Sequence, residues 1–402
     1  MRALHARLGA QLISAVTCLV LGLVLGLTVA ATPASAVPGP EGERATRGPA
    51  TLDLQGRGFG HGRGLSQYGA QAAASDHGRT FRQILDFYYP GTRLTKKGGS
   101  LRVLLTVDPG RDVMVVDQPG LVLRAVDRQR SWSLRNAQAQ RWRLTPDRGG
   151  DTRLSMRVKG RWRVVRVVKG EAEFQSKRGP MRLVTPSGTH RYAGTLRSAI
   201  LGADRERGTV NVIGLEAYLR GVVPEEVPAL WHPQAVRAQA VAARTYAAFE
   251  RASRPQAPYH LCDTSACQVY AGVGQAHPAA DRAIKATKKI VVGKSGRPIF
   301  AQFSASNGGW STAGSFSYLK AQRDPWDDYG VWTHTIPATQ IEAAYPAIGD
   351  FQGIRVLARD GNGSWGGRAT TVRIEGTKLS TTISGDTFRV VFGLRSTWFR
   401  PV

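Results

Sequence analysis

Glu225 and Glu226 stand side by side in the run GVVPEEVPAL, between Pro224 and Pro228. The prolines fix φ and stiffen the turn, and Val222, Val223 and Val227 surround the pair with apolar side chains. A carboxylate partly withdrawn from water keeps its proton to higher pH and becomes suited to proton donation near neutrality. Cleavage of a glycosidic bond needs such a donor at the leaving oxygen, and hydrolysis usually needs a second carboxylate across the bond. Glu225 does not qualify as that second group, because adjacent side chains diverge. A lone carboxylate suits a different route. Glu226 protonates the leaving oxygen, then takes a proton from an internal sugar hydroxyl that closes on the anomeric carbon. The same two residues on a solvated turn would be an ordinary surface pair, and the motif alone does not decide between the two.

Two further segments have compositions suited to binding. In GRGFGHGRGL, Gly56, Gly58, Gly60, Gly62 and Gly64 occupy every second position. An extended chain would put them all on one bare face, with Arg57, Phe59, His61, Arg63 and Leu65 on the other. A bare backbone face admits a ligand or another strand closely. Ser66 then reads as the cap of a helix over QYGAQAAA. Ser304, Ser306 and Asn307, in SASNGG, put hydroxyls and an amide on a loop. Such a loop binds acetamido and hydroxyl groups, or satisfies its own turn. Cys262 and Cys267, in YHLCDTSACQVY, are the cysteines left once Cys18, inside the apolar run near the start of the chain, is set aside. Outside a reducing compartment the pair favours a disulfide. The alternative is zinc on His260, Cys262 and Cys267, an incomplete ligand set.

The elements that must position these groups are legible in outline. Leu215 to Arg220 reads as a short helix ending at Gly221. A long helix should open at Pro233, a first-turn proline, and run to about Ala252. Its alanines allow close packing, and Gln239, Arg244 and Tyr246 on it are candidates for substrate contact or support. Arg237, Arg244 and Arg251 recur every seven residues and form either a solvated stripe or the flank of an anionic groove. Ala279–Lys289 should be a second helix, with strands at 290–292, 299–303, 354–359, 370–375 and 388–392. Leu101 to Tyr192 alternates apolar and polar residues in short runs broken by Gly, Pro and Asp, an antiparallel β signature. Its Trp132, Trp142 and Trp162 read as half-buried strand residues or as a sugar-binding face. The fold class expected is α+β, largely antiparallel β, with the Ala-rich helix beside the active-site groove.

The first 36 residues read as a signal peptide: Arg2 and Arg7, an apolar run from Leu8 to Ala30, and the Ala34-Ser35-Ala36 site. An uncleaved anchor is the other reading of that run. Residues 37–50 read as a flexible leader, 51–95 as the glycine-histidine strand and helix, 96–195 as a β-rich subdomain, and 196–402 as the catalytic part. The formal charge of +26 falls to +24 without Arg2 and Arg7 and favours polyanions. For an exported chain those are wall polymers rather than nucleic acid, and no recognition-helix motif is present.

The residues also resemble a family. GVVPEEVPALWHPQAVRAQAVAARTYA, CDTSACQVYAG, SASNGG, GRGFGHGRGLSQYGAQAAA with ILDFYYPGT, and FRVVFGLRSTWF are similar to signatures of the stage II sporulation protein D family. The resemblance covers most of residues 52–92 and 210–402. It implies an extracytoplasmic lytic transglycosylase that cuts peptidoglycan between N-acetylmuramic acid and N-acetylglucosamine and leaves 1,6-anhydro ends. Glu226 then takes the catalytic position, and Gly58, Gly60, His61 and Gly62 join the substrate-binding candidates. No cofactor is implied beyond possible zinc at His260, Cys262 and Cys267. A cell-wall amidase is the implied partner, with no membrane span after signal cleavage. Val227 replaces the family's common Met. The glycine-histidine segment, normally near the family's C-terminus, comes first here, so the chain reads as circularly permuted, with Trp398–Val402 leading in space toward Leu52. On the residues alone, a non-catalytic wall-binding module and a metal-dependent amidase are the rivals.

Overall fold

The computed structural model describes residues 48–402. The expected signal peptide and most of the leader lie outside them. The fold is α+β. Leu101–Tyr192 is β throughout, as the alternation predicts, and builds two antiparallel layers. One sheet has seven strands in the order Leu261–Cys262, Ser100–Leu104, Arg207–Gly214, Thr195–Ile200, Ala172–Ser176, Leu121–Ala125 and Ser131–Ser133. Only its first pair is parallel, with Leu261 opposite Val103. The other sheet has six strands, running from Arg161–Val168 at one edge to Gly188–Tyr192 at the other. Alternate residues of both sheets, among them Leu123, Phe174 and Leu196 in the first and Val115, Leu144 and Leu183 in the second, meet in one core. Trp142 is buried there, and its indole N–H donates to Asp117 at 2.6 Å. Trp162 stacks on the Arg143 guanidinium. Trp132, on the seven-stranded sheet, packs partly buried against the same core.

The long helix spans Pro233–Ser253, capped by the His232 side chain, which accepts from the Gln234 N–H. It lies between two cores. Val236, Ala240, Ala243 and Ala247 pack into the sheet layers. Ala235, Ala238, Val241 and Ala242 pack against Leu65, Ala70, Ala73, Ile84 and Tyr89 on the other side. A helix covered on both sides has no polar face to spend, which is why small residues fill it. That second core belongs to helices Gln67–Ser75 and Phe81–Tyr88. Ser66 caps the first, its hydroxyl accepting from Gly69 N–H at 3.1 Å. Thr80 and Gln83 form a reciprocal capping box on the second.

A third core, around Leu54, Trp332, Phe351, Val372, Phe388 and Phe399, gathers the two ends of the described chain. Strand Thr51–Arg57 sits between Val331–Pro337 and the C-terminal strand Phe399–Pro401, antiparallel to both. The Val402 N–H reaches the Asp53 carbonyl at 3.0 Å, so the C-terminus does run to the neighbourhood of Leu52. Strands Phe351–Arg359 and Ala369–Gly376 lie close to their expected positions. The expected strand at 388–392 is a helix, Gly385–Val391, capped by Ser384. Phe388 and Phe392 are one helical turn apart, with rings 4.8 Å apart, so the apolar spacing there was helical. Helix Pro278–Ala286 stops at Thr287, short of Lys289. The expected strand at 299–303 is realised only at its last residue: 299–302 form no strand and lie between Arg297–Pro298 and Phe303–Ser304.

Candidate active site

Glu226 ends a single helical turn, Val223–Glu226, closed by the Val227 N–H on the Val223 carbonyl. Val222, Val223 and Val227 are buried and root the turn in the core, Glu225 faces solvent, and Glu226 is half-buried. The two carboxylates do diverge. Burial pushes the Glu226 carboxyl from 4.5 up to about 7, with the Glu225 charge adding to the rise. Hydrogen bonds from Gln67 and from the Val269 main chain hold it from going higher. Gln67 Nε2 lies 3.5 Å from Glu226 Oε2.

The carboxyl opens into a cavity of about 650 Å³, large enough for part of an oligosaccharide. One wall is Phe59, Gly60, His61 and Gln67; another is Ser265 to Val269; a third is Phe300 and Gln302 to Ala305, with Tyr246 and Arg389 completing it. Among the described residues, Glu226 is the one acidic side chain on this lining. Tyr246 comes from the long helix, and its hydroxyl is pushed up to about 12, chiefly by burial and then by Glu250. The Ser265–Val269 wall is fixed from below. Gln268 is buried, donates to the Ala243 carbonyl at 3.3 Å and accepts from the Tyr218 hydroxyl at 3.2 Å.

The glycine run is not the flat ribbon that strict alternation suggests. The strand ends at Arg57, and Gly58, Gly60, Gly62 and Gly64 have φ of 72°, 101°, 73° and 66°. Alternate glycines are needed because the backbone turns left-handed at every second residue, a region closed to most side chains. The loop also lies flush on SASNGG. A Cβ on Gly60 would stand 2.7 Å from Ser304 Cβ. Phe59 and Ser306 exchange main-chain hydrogen bonds at 2.8 and 3.0 Å. The outcome still brings the segment beside Glu226, through Phe59, Gly60 and His61. Gly58 and Gly62 hold the loop instead of lining the cavity. Gly58 gives its carbonyl to Trp332 Nε1, and the Gly62 N–H donates to Ser304 Oγ at 3.2 Å. His61 Nδ1 accepts from the Arg63 N–H at 2.9 Å. Burial, with Arg63, Arg368 and Arg389 nearby, pulls the imidazole down to about 4. At neutral pH it is therefore uncharged, with its proton on Nε2.

Several candidates are corrected by their surroundings. Arg244 is fully buried and cannot touch substrate; its Nε and Nη2 donate to the two Glu216 carboxylate oxygens, each at 2.9 Å. It also donates to the carbonyls of Ile284 and Ile290, tying the long helix to residues 284–290. Arg237, Arg244 and Arg251 therefore form no common exposed stripe. Gln239 is buried in the helix, away from the cavity lining, and its amide has no hydrogen-bond partner among the described residues. Ser306 and Asn307 are buried behind the loop. Ser306 Oγ donates to Asp327 at 2.8 Å, and Asn307 Nδ2 donates to Asp324 at 2.7 Å. Asp327 also accepts from Ser66 Oγ and the Asn307 N–H, so one carboxylate locks the helix cap to SASNGG. Ser304 and Tyr246 do line the cavity.

Cys262 and Cys267 are joined as a disulfide with Cα atoms 5.5 Å apart, and Cys267 stands on the cavity wall. His260 is buried, and its Nδ1 accepts from the Arg102 N–H at 3.0 Å. With the sulfurs bonded to each other and this nitrogen engaged, the trio does not fit a zinc ion. No cluster of three His, Cys, Asp or Glu side chains among the described residues is placed to hold a metal.

Sequence reasoning missed Gln67, the Ser265–Val269 wall, Phe300, Gln302 and Arg389. Gln67 had a signal, since a residue following a helix cap directly after the glycine loop is carried to the same wall. Ser265–Val269 and Arg389 lie within the signatures CDTSACQVYAG and FRVVFGLRSTWF, which mark the segments without saying which side chains face the cavity, while no local pattern marks Phe300 and Gln302.

Residues 203–293 match the family model described as SpoIID, stage II sporulation protein. The chain is 32% identical over 217 residues to stage II sporulation protein D of Bacillus amyloliquefaciens, covering 48% of this chain and 61% of that one. It is 32% identical over 140 residues to the Bacillus subtilis protein of that name, covering 30% and 41%. It is also 36% identical over 130 residues to the amidase enhancer of Bacillus subtilis, covering 31% and 17%. The chain thus spans between 17% and 61% of the length of these curated relatives.

Proposed function

We propose that this chain, which belongs to the stage II sporulation protein D family, is a lytic transglycosylase of peptidoglycan acting outside the cytoplasm. The observation that carries the reading is a lone half-buried carboxyl, pushed up to about 7, facing a cavity with no second acid on its lining among the described residues. At neutral pH a large fraction of Glu226 is protonated. It gives that proton to the oxygen linking N-acetylmuramic acid to N-acetylglucosamine as the bond to the anomeric carbon breaks. The muramic C6 hydroxyl closes on that carbon, and its proton passes to the Glu226 carboxylate. The acid is regenerated, no water is consumed, and the product is the 1,6-anhydro sugar.

The surrounding groups suit an uncharged saccharide. His61 Nε2, the Gln67 amide and the Ser304 hydroxyl offer donors and acceptors to hydroxyl and acetamido groups. Phe59 leads away from the cavity along a run of rings: Phe59 to Tyr329 at 6.5 Å, Tyr329 to Tyr68 at 4.6 Å, Tyr68 to Trp231 at 5.1 Å. Such faces accept the C–H sides of successive sugars. No helix among the described residues is long and apolar enough to cross a membrane. One relative is named an amidase enhancer. Carried to this chain, that name suggests a cell-wall amidase as partner and a role in sporulation-type wall remodelling.

The test is product analysis on purified glycan strands. Wild type should release anhydro-muramic ends, and Glu226→Gln should lower the rate by roughly 10²–10⁴-fold. Equal yields from both, or none from wild type, would leave a non-catalytic wall-binding module in its place.

A further inference from the structure

A second cavity, of about 680 Å³, lies beyond Phe300. Phe300 is on the wall of the Glu226 cavity, with Tyr246 at 5.3 Å from its ring on that side. Phe249 lies 5.0 Å and Phe316 6.1 Å from the same ring, and both of these line the second cavity. The rings of Tyr246, Phe300, Phe249 and Phe316 thus stand between the two hollows, and a strand long enough to fill both would cross them. Lys97, Arg251, Lys294 and Arg297 line the second cavity, and among the described residues no acidic one does. None of these four cations pairs with a carboxylate among the described residues. Lys294 Nζ donates to Ser317 Oγ at 2.7 Å and stands 6.0 Å from the Tyr318 ring. Arg251 is half-buried, which holds its guanidinium below the usual range. Phe316 leaves 38% of its surface exposed. Gathering four like charges around an open aromatic face costs energy in the empty protein, and an anion recovers that cost.

We propose that this cleft is an anion-reading subsite for the glycan strand, in which ring faces stack sugars and the four cations bind carboxylates carried by the strand. The inference rests on the glycan-cleaving reading and adds to it the charge that the substrate presents away from the cut. Two sources supply such a carboxylate: the lactyl group of a muramic residue without its peptide, or the acidic groups of an attached stem peptide.

Lys294 and Arg297 are exposed on the turn between strands Ile290–Lys294 and Arg297–Pro298, so replacing them leaves the core intact. The experiment measures binding in a Glu226→Gln background, where cleavage does not interfere. Strands with free lactyl groups, strands with stem peptides, and free-lactyl strands with their carboxylates converted to neutral amides serve as probes. The double change Lys294→Glu with Arg297→Glu should weaken binding of at least one carboxylate-bearing probe by roughly tenfold or more, and added salt should weaken the parent alike. The probe that loses affinity identifies the source. The neutral strand should bind parent and variant equally, and Lys294→Gln with Arg297→Gln should lie between them. Equal affinities of parent and charge-reversed protein for every carboxylate probe would overturn the proposal. So would displacement of bound glycan by a phosphodiester polymer at far lower concentration than by glycan itself. Absence of cleavage by the protein with Glu226 and the cleft unaltered, while the binding pattern holds, would instead count against the catalytic reading.

Discussion

The Glu226 carboxyl keeps its proton to about pH 7 where the ordinary value is 4.5, and this has consequences for rate and stability with one cause. If Glu226 acts first as an acid, the rate of bond breaking follows its protonated fraction, so activity should fall as pH rises through about 7. The linkage to folding has the same direction. Below about 4.5 the proton is present in both folded and unfolded chains, and the folded state carries no penalty here. Between 4.5 and about 7 only the folded state holds it, so the unfolded chain binds fewer protons and stability declines with rising pH. Above that window the full cost of a buried charge remains, on the order of 3 kcal/mol before screening by the open cavity. Glu226→Gln removes the titration. Its melting temperature should exceed that of wild type at pH 8 by more than at pH 4.5. Equal differences at the two pH values would mean that the side chain is solvated and that the site has lost its acid. In the folded site His61 is already uncharged above about 4, while its unfolded imidazole still takes a proton up to about 6.5, so its contribution makes stability rise with pH across that range. That contribution is the same in wild type and Glu226→Gln and drops out of their comparison.

Elements decide which of the sequence's chemical residues reach the cavity. The long helix, its cap and its small residues are legible because Pro233 and the alanines state their own geometry. Which face each polar residue of that helix takes is not legible. Arg244 and Tyr246 are two positions apart, yet Tyr246 lines the cavity and Arg244 is buried against Glu216. The deciding fact, a second core on the far side, comes from residues 65–89. Arg244→Ala should therefore cost roughly 3–5 kcal/mol in a denaturant melt, since it strips the partner from a carboxylate and frees several buried carbonyls. Activity per folded molecule should be retained at low temperature; a selective rise in KM at unchanged stability would restore Arg244 to substrate contact. The glycine loop shows the other limit of local pattern. Alternation by twos marks a strand, and it also marks a chain that turns left-handed at every second residue. Only the contacts of Gly60 with Ser304 and of Gly62 with its neighbours separate the two. The helix at Gly385–Val391 was hidden similarly, because FRVVF fits a strand and a helical turn equally until Ser384 is recognised as its cap.

At the scale of the molecule, the three cores are joined through the site. Strand Thr51–Arg57 feeds the glycine loop to the cavity, and the C-terminal segment holds that strand. The Arg57 N–H donates to the Trp398 carbonyl at 2.8 Å and the Gly60 N–H to Arg395 at 2.7 Å. The loop that lines one wall is thus fixed by residues more than 330 positions away in sequence. The order of segments along the chain then matters less than their pairing. Pro401 lies opposite Leu54 in an antiparallel register, so a linker of about five residues from Val402 to Thr51 would form a hairpin turn. The exposed Gly98-Gly99 link between strands Arg93–Lys96 and Ser100–Leu104 is the natural place for new ends. A chain that starts at Gly99, runs to Val402, and continues through the linker into residues 51–98 should fold and yield the same anhydro product as the parent. Its melting temperature should lie within several degrees, because no buried contact is removed and only one loop closure is exchanged for another. A soluble permutant that melts like the parent but leaves glycan uncut would show that the path from the N-terminal segment into the glycine loop does more than position it. A permutant that does not fold would show that strand Thr51–Arg57 must precede the sheet layers in the chain, and the pairing of the two ends would then be insufficient to define the site.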